Sequence, residues 1–100
     1  MKAILALLVT VSAFSAQALE SHYGKARKSG NTVTCTITNR SEGTLDMKYV
    51  VFGVSYLGRH GDDGQIQQRI DQRIRTGETY TARVSAPRAH TVDFCRFLAR

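Results

Sequence analysis

The chain of 100 residues has no tryptophan, one proline and only two cysteines. Without tryptophan, large aromatic contacts rest on four tyrosines and four phenylalanines, and the buried indole that marks antibody-type domains is excluded. Two cysteines and three histidines (His22, His60 and His90) are too few and too scattered for a structural zinc set, and there is no C-x-x-C redox pair. No histidine pair has metalloprotease spacing, and no serine sits in a nucleophile elbow. Asp62-Asp63-Gly64 lacks the spacing and the closing glutamate of a calcium loop and reads as a solvated turn. These absences argue against an enzyme, a bound metal and a cofactor.

The first eighteen residues carry the clearest positive signal. Met1-Lys2 is a short cationic start, Ala3 to Phe14 is an apolar run, and Ala16-Gln17-Ala18 is a small-x-small cleavage site. The pattern is that of a secretory signal peptide cut before Leu19, and the run is too short to span a bilayer as a stable helix. The expected product is Leu19 to Arg100, periplasmic or secreted, with no transmembrane span. About eighty residues make one domain, near the lower size limit for a self-sufficient core. Export favours oxidation, so Cys35 and Cys95 are expected to form the one possible intramolecular disulfide.

After cleavage, thirteen Lys and Arg face eight Asp and Glu, a net charge of +5. Residues 19–31, with Lys25, Arg27 and Lys28, show no apolar period and read as a basic, flexible arm. The folded domain is then expected over residues 32–100. Thr32 to Asn39 alternates strictly: Val33, Cys35 and Ile37 against threonines. The following Asn39-Arg40-Ser41 also fits an N-glycosylation acceptor in a host that glycosylates. Thr44 to Leu57 reads as a central strand, with Val50, Phe52, Val54 and Tyr56 on one face, Leu45, Met47, Tyr49 and Val51 on the other, and a bulge or change of face at Gly53. Gln65 to Arg75 fits two patterns. Ile66, Ile70 and Ile74 at intervals of four suit a helix stripe, and the same residues alternate as a strand; strand neighbours on both sides favour the strand. Thr79 to Ser85 and His90 to Leu98 are the remaining strands, separated by Pro87.

Five short strands with turn chemistry between them predict an all-β chain, a small antiparallel β-sandwich of immunoglobulin-like type, with a disulfide joining its first and last strands. The stretch Thr36-Ile37-Thr38-Asn39-Arg40-Ser41, Thr44-Leu45, the Val50 to Leu57 strand, a Gly-rich turn and Thr76-Gly77-Glu78-Thr79 resembles the bacterial FxLYD-type immunoglobulin-like domains over about Val33 to Ser85. In this chain Leu57 stands where that pattern has aspartate after tyrosine, and Thr76 stands where it has proline. The resemblance implies an exported β-sandwich module and assigns no catalytic residue.

Two binding surfaces are expected. Arg69, Arg73, Arg75 and Arg83, extended by Lys25, Arg27 and Lys28, form one basic face suited to phosphate or carboxylate. Contact with an acidic protein or an anionic component of the bacterial envelope follows; the lack of interleaved aromatics argues against nucleic acid. The second is the loop Gly58 to Gly64, where Arg59 and His60 would enter an acidic cleft if the chain inhibits a secreted, lysozyme-like hydrolase. Composition does not determine the oligomeric state.

Overall fold

The computed structural model describes residues 19–56 and 63–100. Among the described residues, seven antiparallel strands form two sheets. The strands are β1 (Glu20–Tyr23), β2 (Lys25–Ser29), β3 (Thr32–Thr38), β4 (Leu45–Tyr56), β5 (Asp63–Ile74), β6 (Thr79–Ser85) and β7 (Ala89–Ala99). The four-stranded sheet runs β1-β7-β4-β5 and the three-stranded sheet β2-β3-β6. No described helix is long and apolar enough to cross a membrane.

The core follows from the alternation in the strands. Val33, Cys35 and Ile37 of β3 and Ala82 and Val84 of β6 are buried and face Val50, Phe52 and Val54 of β4 and Phe97 of β7 in one cluster. Tyr80 meets Phe97 edge-on at a 6.1 Å centroid separation. Cys35 and Cys95 are fully buried and disulfide-bonded, with 5.9 Å between their Cα atoms. The bridge ties the centre of one sheet to the centre of the other. It joins the third strand to the last, because two strands precede the one that carries Cys35.

Those two strands correct the expected arm. Residues 20–29 lack an apolar period because they are edge strands, and they belong to the sandwich. β1 pairs with the end of β7, β2 pairs along β3, and the chain changes sheet at Gly24. The crossing explains the glycine. A Cβ there would lie 2.7 Å from both the Cys35 sulfur and the Thr36 carbonyl, so no side chain fits between crossing strand and disulfide. The Gly24 amide donates to the Cys95 carbonyl at 3.1 Å.

Residues 65–74 are strand, the favoured of the two patterns. Gln68 and Gln72 alternate with Ile66, Ile70 and Ile74 on an edge strand, which produces the interval of four without a helix. Ile74 is in the core and Ile66 and Ile70 pack against it. The pairing of β4 with β5 slips between Met47 and Tyr49, where Ile70 and Asp71 stand against Lys48 alone. Asp71 takes a positive φ of 48° there, a conformation aspartate tolerates better than most residues. This slip also reassigns a face. Leu45 and Met47 were expected with Tyr49 and Val51, yet Met47 is fully buried with Val50 and Phe52, and Leu45 packs against the same core. At Gly53 a second irregularity is present, and the extra residue, Asp93, lies on β7.

Candidate functional site

The expected basic face divides between the two sheets. β5 and β6 are consecutive in sequence and belong to different sheets, so Arg69 and Arg73 do not share a surface with Arg83 through strand pairing. Arg69 points outward from the four-stranded sheet and is already engaged. Its guanidinium forks onto Asp71 at 2.6 and 3.0 Å and stands 5.4 Å from the centre of the Tyr49 ring. Arg69 thereby draws the Asp71 carboxyl below the ordinary range, chiefly by hydrogen bonding, with Coulomb attraction from Arg69 and Lys48. Arg75 lies in the turn after β5. Its backbone amide donates to Glu78 at 2.6 Å and its guanidinium reaches the same carboxylate at 3.4 Å. The amide hydrogen bond, followed by the Arg75 charge, lowers the Glu78 pKa. Arg73 is exposed on β5, paired in register with Asp46. Arg59 and His60 lie outside the described residues.

Arg83 has other company. In the three-stranded sheet, Arg27, Thr34 and Arg83 lie in register across β2, β3 and β6, and so do Lys25, Thr36 and Thr81. Residues in register on antiparallel strands point to one side, so these six side chains share the outer face. Thr32, Thr38, Thr79, Ser29 and Ser85 complete it in the same alternation. Every outward position of this sheet is therefore a hydroxyl or a cation. The sequences of β2, β3 and β6 contain no aspartate or glutamate. Thr36 and Thr81 hydroxyls are 2.9 Å apart and Thr38 and Thr79 hydroxyls 2.8 Å apart, which fixes their rotamers as cross-strand pairs. Among the described residues, Lys25, Arg27 and Arg83 have no ion-pair partner, whereas Lys48 pairs with Asp46 and Asp71, Arg69 with Asp71 and Arg75 with Glu78. A recess of about 500 Å³ lies between Lys25, Arg27 and Arg83 over Thr34, Thr36 and Thr81. Lys28, on the opposite phase of β2, turns to the half-buried side and its ammonium donates to the Gly30 carbonyl at 2.7 Å.

A larger groove of about 850 Å³ adjoins this recess where the chain crosses at Gly24. Lys25 and Thr36 line both, and His22, Thr38, Arg40 and Ser41 carry the groove onward. The His22 Nε2 atom is shielded from solvent, has no hydrogen-bond partner, and stands 3.6 Å from Glu20.

Asn39 ends this surface and is not available for modification in the fold. It is 1% exposed, and its amide nitrogen donates to the Gly43 and Ile74 carbonyls at 2.8 and 3.0 Å. The acceptor pattern Asn39-Arg40-Ser41 is instead a turn device, with the Ser41 amide donating to the Asn39 side-chain oxygen at 2.9 Å.

The sequence carried a signal for the hydroxyl and cation face. Thr32, Thr34, Thr36 and Thr38 occupy one phase of a strand, Thr79 and Thr81 one phase of another, and no acid interrupts residues 25–38 or 79–85. Assigning residues 19–31 to an arm removed Lys25 and Arg27 from the sheet and hid the match.

No family model matches this chain, and no curated protein matches it. Among solved structures, Northeast Structural Genomics Consortium target SoR45 aligns with a TM-score of 0.42 and 11% identity, over 82% of this chain and 79% of that one.

Proposed function

We propose that this chain is an exported, non-enzymatic binding module of the bacterial envelope or its surroundings, and that the outer face of the β2-β3-β6 sheet receives an anionic partner. Export rests on the signal-like residues 1–18 and is compatible with the buried Cys35–Cys95 bridge. The observation that carries the reading is charge segregation. Arg27 and Arg83 flank Thr34 in one register row, Lys25 stands beside them, and no acid lies on their strands. Like charges held on one face repel one another. An anion bound between them removes that repulsion and accepts forked, charge-assisted hydrogen bonds. Arg69 and Arg75 are engaged by Asp71 and Glu78 and contribute less.

The test is retention of the oxidised protein on a sulfated resin and on vesicles containing phosphatidylglycerol, at low and at high salt. The double reversal Arg27→Glu with Arg83→Glu is expected to weaken retention by roughly tenfold or more, since each charged hydrogen bond is worth about 1.5–3 kcal/mol. The double reversal Arg69→Glu with Arg73→Glu is expected to change it little. The opposite ranking would refute the assignment to the smaller sheet.

A further inference from the structure

The outer face of the three-stranded sheet and the adjoining groove form one track longer than a single anion requires. Lys25 and Arg27 are two residues apart along β2, about 7 Å. Arg27 and Arg83 are two strands apart, about 10 Å. From Lys25 the track continues into the groove beside Arg40 and His22. A compact ion would occupy one end of it, whereas a chain of charged units would use all of it.

The lining also discriminates among polyanions. Protein interfaces draw their affinity from aromatic and apolar anchors in desolvated pockets, and the outward positions of β2, β3 and β6 hold no apolar side chain. Single-stranded nucleic acid is held by stacking on successive aromatic platforms; the sheet face offers none and the groove a single exposed tyrosine, Tyr23. What it offers is a grid of hydroxyls, each both donor and acceptor, between cations. That matches a ligand which itself carries hydroxyls and negative charges. At the far end, the Nε2 of His22 makes no hydrogen bond and stands 3.6 Å from Glu20.

We propose, on the basis of the anionic-partner reading above, that the ligand is an acidic polysaccharide lying across β2 and β3. The polysaccharide chain extends over β6 as well: its charged groups meet Arg83, Arg27, Lys25 and Arg40, and its hydroxyls meet Thr34, Thr36 and Thr81. The acidic group is a carboxylate or a sulfate, both of which accept the arginine fork.

Calorimetric titration of the oxidised protein with polygalacturonate, dextran sulfate, neutral dextran and phosphatidylglycerol vesicles tests this. Binding to one or both charged polysaccharides and none to neutral dextran is expected, and the choice between polygalacturonate and dextran sulfate identifies the acidic group. The Arg27→Glu, Arg83→Glu double variant should bind at least roughly tenfold more weakly. The decisive variant is Thr36→Val with Thr81→Val, which keeps side-chain shape and strand propensity, with folding checked by near-ultraviolet circular dichroism. It should lose roughly three- to tenfold on the polysaccharide, as expected for one or two neutral hydrogen bonds, and nothing on vesicles. Vesicle binding without polysaccharide binding would overturn the polysaccharide and leave the anionic-partner reading standing. Polysaccharide affinity unchanged by the threonine substitutions would overturn the role of the hydroxyl grid and with it this proposal. Failure to bind any of the charged probes would overturn both.

Discussion

Asn39 shows how much one buried polar side chain holds in this small domain. Its amide nitrogen reaches Gly43 and Ile74, its oxygen accepts from Ser41, and its backbone exchanges hydrogen bonds with Gly77 and Glu78 at 2.7 and 2.9 Å. The turn after β3, the end of β5 and the turn before β6 therefore converge on one residue. Asn39→Ala removes the buried bond to the Ile74 carbonyl and those to Gly43 and Ser41 and is expected to destabilise the fold by about 2–4 kcal/mol, read as a lower midpoint in urea denaturation. Two acids, Asp71 at the bulge of β5 and Glu78 in the turn before β6, set a pH dependence. Asp71 and Glu78 both have lowered pKa values in the folded chain, each mainly through a hydrogen bond from an arginine. Their stabilising effect is present above the unfolded carboxylate pKa of about 4 and is lost as pH falls through the lower folded values. Melting temperature should fall on acidification below about pH 4. Asp71→Asn and Glu78→Gln should each flatten that fall, and an unchanged acid profile in both would contradict the assignment.

At the scale of elements, the strand most dependent on a single residue is β1. It is four residues long, it reaches its sheet only by crossing at Gly24, and the crossing passes over the disulfide. Gly24→Ala places a methyl against backbone and sulfur, neither of which yields easily, and should cost about 1–3 kcal/mol. Amide hydrogen exchange should show the β1 amides that bond β7 losing protection before those of β3 and β6 do. The same element marks the limit of what the sequence revealed. β3 and β6 were legible because one face of each is apolar or aromatic and the other hydroxylated save for Arg83, so period two was unmistakable. β1 and β2 were not, because an edge strand with Ala26 as its only aliphatic side chain, ending at a glycine, has the composition of an arm. The faces of β4 were legible from Val50 onward and misassigned before it. A bulge is a property of two strands in register, and nothing in Met47-Lys48-Tyr49 alone announces that Ile70 and Asp71 will both oppose Lys48. The candidate site was not legible in the sequence for a related reason. Arg83 was grouped with its sequence neighbour β5, and topology pairs β6 with β3 instead.

For the whole molecule, two features dominate. The first is the bridge between sheets. Cys35 and Cys95 are 60 residues apart, and closing a loop of that length is worth about 4 kcal/mol in the chain-entropy model. That is most of the margin of a domain this small. The double variant Cys35→Ala, Cys95→Ala is expected to be largely unfolded at growth temperature or to melt well below the oxidised protein, by calorimetry. The second is the distribution of charge. The described acids belong to the four-stranded sheet and to turns, and the three-stranded sheet has only cations. A net charge of +5 would serve solubility wherever the cations stood; the grouping of Lys25, Arg27 and Arg83 on a hydroxylated face without an acid is what the binding account explains. The measurement that tests this most directly is an NMR amide-shift titration of the oxidised protein with polygalacturonate. The account predicts shifts concentrated at Lys25 to Ser29, Thr32 to Thr38 and Thr79 to Ser85, continuing to Arg40. Shifts centred on the outer face of β4 and β5, around Tyr49 and Arg69, would contradict it.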